Sequence, residues 1–233
     1  MRVLLHNLAL VPHLLALTAL AAAAPSNHLT LVSVAATNDG GYASAVTVVG
    51  NYAYLANAAE GLRIYDISNP AHPIRVAKAT NSRLALGVTV RSNLLYLACD
   101  HEGLHIYDIS NPTSPAHLAQ ATNDDVIPHL TAVAVSVNYT FLANANSGLW
   151  ICDISSPASP VVVCQTTTNG GLFHSPTDVA VLGHYAYAAC VGDGLRIYDI
   201  FNPASPTPLG HPSSSLPRRR HAPVPGQAGA RAR

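Results

Sequence analysis

The chain has 233 residues, 49% of them hydrophobic and only 10% charged, with a formal net charge of +0 at pH 7. That balance excludes a general electrostatic attraction to nucleic acid, and the length suits one large domain or two small ones. One Met, one Trp and 17 Pro against 15 Gly point to many short strands and turns rather than long helices.

Residues 1–24 open with Arg2, continue as an apolar run and end in small residues, with Ala21, Ala22 and Ala23 offering a small-x-small cleavage site. That order predicts a secretory signal peptide. Pro12 and His13 interrupt the run, which is too short and too broken to span a membrane. The expected location is therefore secreted or cell-surface, periplasmic in a Gram-negative cell, with no membrane span after signal removal.

Residues 27–211 are repetitive. "GLRIYDISNP" begins at Gly61 and returns as "GLHIYDISNP" at Gly103, "GLWICDISSP" at Gly148 and "GLRIYDIFNP" at Gly194, spacings of 42, 45 and 46 residues. Each unit starts with an alternating apolar run ("AVTVVG", "GVTVRS", "AVAVSV", "DVAVLG"). A second run follows a tight turn ("YAYLAN", "LLYLAC", "YTFLAN", "YAYAAC"), the ten-residue unit is the third, and "PIRVAKAT", "PAHLAQAT" or "PVVVCQT" is the fourth. Branched and aromatic residues at period two, bounded by Gly, Asn, Asp and Pro, predict strands. A period near 45 residues with four strands per unit predicts propeller blades. One such sheet has two apolar faces and is not stable alone, whereas blades stacked around an axis cover each other.

The fold class expected is all-β, a β-propeller of four four-stranded blades. "LTLVSVAATND" at residues 29–39 resembles the fourth strands, so residues 29–37 are expected to close the last blade. The alternative is an open arc, or a fragment of a larger propeller. Residues 212–233, Pro- and Arg-rich without a strand period, are expected to be a disordered tail.

The strand "LRIYDIS" followed by Asn-Pro, after "VTVVGNYAYLA" and a glycine, resembles the LVIVD repeat of bacterial and archaeal exported or surface proteins. The resemblance covers roughly residues 29 to 209. It implies a β-propeller in an extracellular or cell-surface setting and carries no catalytic residues to transfer. Relatives often have more repeats than this chain.

Asp66, Asp108, Asp153 and Asp199 recur once per blade, three residues before Asn-Pro or Ser-Pro. They are expected to accept backbone N–H bonds from their own turns rather than to do chemistry. Cys152 and Cys164 flank one hairpin turn and are either two buried thiols or a disulfide. Cys99 and Cys190 occupy the place that Asn57 and Asn144 hold in the other units. No zinc spacing or catalytic motif is present. His129 and His174, each beside a proline, are expected to be loop residues rather than ligands.

In an antiparallel blade the second-to-third loop and the blade-to-blade loop emerge on the same face. Asp39, Glu60, Asp100, Glu102, Asp124, Asp125, Asp178 and Asp193 all fall in those loops or at their rim. An acidic face follows, with Asp124, Asp125 and Asp178 the candidate ligands for Ca²⁺, which suits oxygen-rich loops. The function expected is a non-catalytic binding or adhesion module with a protein or glycan partner on that face. The alternatives are a metal-dependent, lactonase-like hydrolase at the channel mouth and a structural repeat of a larger surface assembly.

Overall fold

The computed structural model describes residues 31–32, 42–79, 84–122, 128–166 and 175–209. Leu31 and Val32 fall in a separate unit, residues 1–32; the strands all lie in the unit that begins at Ser33. Sixteen strands and no helix occur among the described residues, so none of their helices is long and apolar enough to cross a membrane.

The strands form four antiparallel sheets of four consecutive strands, the blades of a β-propeller. The first holds β1 (Ala45–Val49), β2 (Tyr52–Ala56), β3 (Leu62–Asp66) and β4 (Ile74–Ala79). The second holds β5 (Ala85–Arg91), β6 (Leu94–Cys99), β7 (Gly103–Asp108) and β8 (Ala116–Ala121). The third holds β9 (Leu130–Ser136), β10 (Tyr139–Asn144), β11 (Gly148–Asp153) and β12 (Val161–Gln165). The fourth holds β13 (Pro176–Leu182), β14 (Tyr185–Cys190), β15 (Gly194–Asp199) and β16 (Thr207–Pro208). The first strands of successive blades pack on one another, β1 on β5, β5 on β9 and β9 on β13.

The ten-residue repeat does what its chemistry suggests. Its glycine takes a positive φ in every blade, 72°, 86°, 98° and 77° at Gly61, Gly103, Gly148 and Gly194. At Gly103 a Cβ would stand 2.1 Å from the carbonyl oxygen of Ala121, so only glycine lets β7 start beside β8. At the other end of the strand each aspartate closes its own turn. The N–H groups of Ser68, Ser110 and Ser155 donate to Asp66, Asp108 and Asp153 at 2.8 Å, and that of Phe201 to Asp199 at 2.9 Å. These bonds hold the carboxyls of Asp66, Asp108 and Asp153 below the usual carboxylate range.

Burial is concentrated in three cores, one at each junction of consecutive blades. Tyr54, Ala56, Leu62 and Ile64 pack on Val88, Leu95, Leu97 and Tyr107. Tyr96, Ala98, Leu104 and Ile106 pack on Leu130, Val133 and Leu142. Phe141, Ala143, Leu149 and Ile151 pack on Val179, Ala186, Ala188 and Tyr198. Among the described residues no such core joins the fourth blade to the first.

Among the described residues the outer strand of the last blade is β16, paired as Tyr198 with Pro208 and Asp199 with Thr207; of residues 29–37, expected to close this blade, all but Leu31 and Val32 lie outside the described residues. Proline is tolerated here because an edge strand needs no donor on its outer side, and the N–H of Leu209 completes the ladder to Ile197 O at 2.8 Å. The tail, 212–233, lies outside the described residues.

Candidate functional site

The two loop sets do meet, as strand direction requires. Ala58 in the β2–β3 turn and Ala85 at the start of β5 exchange backbone hydrogen bonds of 2.9 Å. In the third blade Ala145 N–H donates to His129 O at 2.9 Å, and in the fourth Val191 N–H donates to Ser175 O at 2.9 Å. Between the second and third blades, Leu130 N–H reaches Asp100 O at 3.4 Å.

That last junction gathers three metal-binding side chains. Asp100 and His101 stand in the β6–β7 turn and His129 immediately precedes β9, and their ligand atoms all lie within 4.8 Å of one another. The Asp100 carboxylate is buried; one oxygen contacts His129 Nδ1 and the other stands 3.3 Å from His101 Nε2. Donors held about 2.1 Å from one zinc ion stand about 3.4 Å apart, so the His101–Asp100 spacing suits a shared ion.

The ring orientation of His101 is set from behind. Its Nδ1 lies 3.2 Å from Pro128 O, an oxygen that can only accept. Nδ1 therefore donates to it, and Nε2 is the ring nitrogen turned toward Asp100 and left to ligate a metal, the backing usual for a metal-ligating histidine. His129 is held through its backbone: Asn144 Oδ1, fully buried, accepts the N–H of His129 at 3.2 Å and that of Asn146 at 3.0 Å. The two imidazole rings are stacked, centroids 6.0 Å apart. A cleft of about 420 Å³, lined by Ala59, Leu84, His101 and Glu102, opens beside the cluster. His101 thus belongs to both. Leu84, on the cleft, and Ala58 take positive φ of 49° and 35° at the junction of the first and second blades, a conformation costly for any residue but glycine.

None of the three donors is required by the repeat. The turn position of Asp100 is held by Ala58, Ala145 and Val191 in the other blades, and that of His101 by Ala59, Asn146 and Gly192. The place of His129 is held by Leu84 and Ser175. A repeat device appears in every copy; these appear once and converge.

Comparison with known proteins identifies the architecture. The LVIVD repeat model matches residues 40–80, 82–120, 130–168 and 175–211. The chain belongs to the LVIVD repeat family. No curated protein matches it significantly. Among solved structures it is similar to the computationally designed Ika8 protein at 11% identity and a TM-score of 0.54, over 68% of this chain and 46% of that one. The designed Ika4 protein matches at 14% and 0.56, over 74% and 99%. A candidate 6-phosphogluconolactonase from Bacteroides uniformis matches at 15% and 0.57, over 68% and 50%. The chain thus spans about half the length of Ika8 and of the Bacteroides protein. At these identities the likeness is one of fold.

Of the residues expected to hold Ca²⁺, only Asp178 lies among the described residues. Asp124 and Asp125, with Asp39 and His174, lie outside the described residues. Asp178 is exposed on β13, its Oδ1 accepting the N–H of Val179 at 2.8 Å. Three of the remaining loop carboxylates, Glu60, Glu102 and Asp193, have a basic side chain beside them. Across each repeat glycine the preceding side chain meets the one three residues on. Glu60 faces Arg63 at 3.7 Å, Glu102 faces His105 at 3.6 Å, and Ser147 accepts from Trp150 Nε1 at 3.0 Å. Asp193 accepts from Arg196 Nε at 2.7 Å. "EGLR", "EGLH", "SGLW" and "DGLR" carry this pattern in plain sight; counting only loop residues missed it, because the cation sits on the strand.

His129, expected to be a plain loop residue, is a member of the cluster. Cys152 and Cys164 are free thiols. A bulge between Ile151 and Cys152 sets Cys164 opposite Ile151 and Cys152 opposite Val162, which separates the pair. Burial raises the Cys152 thiol to about 12, so it is an inert core group.

Proposed function

We propose that this protein is a binding module outside the cytoplasm, secreted or on the cell surface, that holds a divalent transition metal at Asp100, His101 and His129. The metal fixes an oxygen-bearing protein or glycan partner that reaches it through the adjoining cleft. The convergence of two imidazoles and a buried carboxylate from two blades, at positions the repeat leaves apolar or neutral elsewhere, carries this reading. Its support for an exported location is the residue order of the first 24 positions.

The donor set replaces Ca²⁺ as the expected ion. Calcium takes six to eight oxygens, whereas imidazole suits Zn²⁺, Cu²⁺, Ni²⁺ or Fe²⁺. Histidine ligates a metal only as the neutral imidazole, so metal binding competes with protons and strengthens with pH.

Thermal unfolding of the purified protein against a panel of divalent ions tests the proposal. Micromolar Zn²⁺ or Ni²⁺ raises the melting temperature of the wild type and not that of Asp100→Asn or His129→Ala, and millimolar Ca²⁺ leaves all three unchanged. An equal shift in the variants, or none in the wild type, refutes it.

A second reading rests on one observation. Three protein donors, with His101 half-exposed at the cleft, leave a coordination place open as catalytic zinc sites do. Under that reading the zinc-loaded protein opens lactones or hydrolyses esters, and His129→Ala does not. Absence of turnover with retained zinc binding leaves the binding module.

A further inference from the structure

We propose that two copies of this chain associate head to tail into one eight-bladed ring, the fourth blade of each seated on the first blade of the other. The proposal does not rest on the metal site.

Each blade has two chemically different faces. The face turned to the following blade carries an aromatic and an alanine from the second strand, a leucine and an isoleucine from the third. These are Tyr54, Ala56, Leu62 and Ile64 in the first blade; Tyr96, Ala98, Leu104 and Ile106 in the second; Phe141, Ala143, Leu149 and Ile151 in the third. All twelve are 0–2% exposed. Cross-strand register gives the same set in the fourth blade, with Tyr187 opposite Ile197 and Ala189 opposite Leu195. There the set is only partly covered: Tyr187 and Ile197 are half-buried, Ala189 is exposed and Leu195 is 44% exposed.

The opposite face shows the mirror of this. Val88, Val133 and Val179, each on the first strand of its blade and turned to the preceding blade, are 7–9% exposed. Their counterpart in the first blade is Val46, paired with Leu55 as Val88 is with Leu97. Val46 is 61% exposed and its neighbour on the same face, Val48, is 56% exposed.

The two incompletely covered faces are therefore the two halves of a contact already made three times within the chain. They lie on different blades, and β13 and β1 do not pack as the three other neighbouring pairs do. A second copy supplies both missing halves at once, and the two new junctions are related by a two-fold axis, so assembly closes rather than continuing. Apolar surface of this kind is what association buries.

Sedimentation velocity on the purified protein, from sub-micromolar to tens of micromolar, tests this. The expected mass is twice that of the monomer. Leu195→Arg and Val46→Arg, both at exposed sites and so expected to leave the far-ultraviolet dichroism unchanged, each give monomers. A mixture of the two variants associates, because Val46→Arg keeps an intact fourth blade and Leu195→Arg an intact first blade. A monomeric wild type overturns the proposal. So does a Val46→Arg variant that still dimerises, or a mixture that stays monomeric at one hundred times the concentration at which the wild type pairs.

Discussion

Asn144 and His129 are joined across the mouth of the third blade: the Asn144 Oδ1 accepts the His129 backbone N–H at 3.2 Å. Cysteine stands at this place in the second and fourth blades, so Asn144→Cys fits the repeat while removing the acceptor. The variant should lose about 1–2 kcal/mol of stability, the scale of a buried hydrogen bond left unmade. Zinc affinity should fall tenfold or more, as it does when outer-shell support of a ligand is lost. Isothermal titration and urea unfolding on one preparation read both, and intact affinity would show that His129 does not depend on Asn144.

Glycine placement gives a contrast within the repeat. Gly103→Ala must accommodate both the positive φ and the Ala121 oxygen, whereas at Gly194 a Cβ meets open space. Gly194→Ala should therefore cost about 1–2 kcal/mol, the left-handed penalty alone, and Gly103→Ala clearly more. The opposite change is favourable at Val137, a β-branched residue at φ 50° in the turn between β9 and β10. Val137→Gly should raise the urea midpoint, because Gly50 and Gly183 already fill the equivalent turns. Equal losses at the two glycines would remove the steric argument.

Stability should depend on His105. This side chain is buried, its Nδ1 3.0 Å from His117 Nε2, with Tyr107 stacked on it and Glu102 3.6 Å from its Nε2. Burial, then the charge of His117, push its pKa down to about 4, against a weaker upward pull from Glu102. A depressed histidine binds its proton more readily in the unfolded chain. The neutral form's contribution is thus complete above about pH 6.5 and is lost as pH falls toward 4, at no more than about 1.4 kcal/mol per pH unit. Urea midpoints between pH 7 and 4 should fall in the wild type and flatten in His105→Leu over that window. A slope that persists in the variant would assign it to other groups.

The fold was legible because repetition makes each local signal count four times. The glycine that frees the third strand, the aspartate that closes its turn and the period-two runs are all present in every copy. The end of the ladder was not legible. Pro203, Pro206 and Pro208 disfavour a strand, yet Thr207–Pro208 pairs with β15 because an outer edge does not use the missing donor. The site escaped for the opposite reason to the fold. Asp100 and His129 are 29 positions apart, and spacing motifs do not register two residues brought together only by the junction of blades. Setting the four copies side by side and asking which residues break the pattern would have singled out Asp100, His101 and His129. Summing loop carboxylates instead drew attention to Asp178, which is exposed on β13 with its carboxylate accepting the Val179 N–H.

The most direct test of the metal site is anomalous diffraction at the zinc edge from crystals grown with equimolar Zn²⁺. The expected result is one peak at the junction of the second and third blades, within about 2.0–2.2 Å of an Asp100 oxygen and of a ring nitrogen on both His101 and His129. A peak elsewhere on the chain, or no peak at that junction, would contradict the assignment of these three residues as the site.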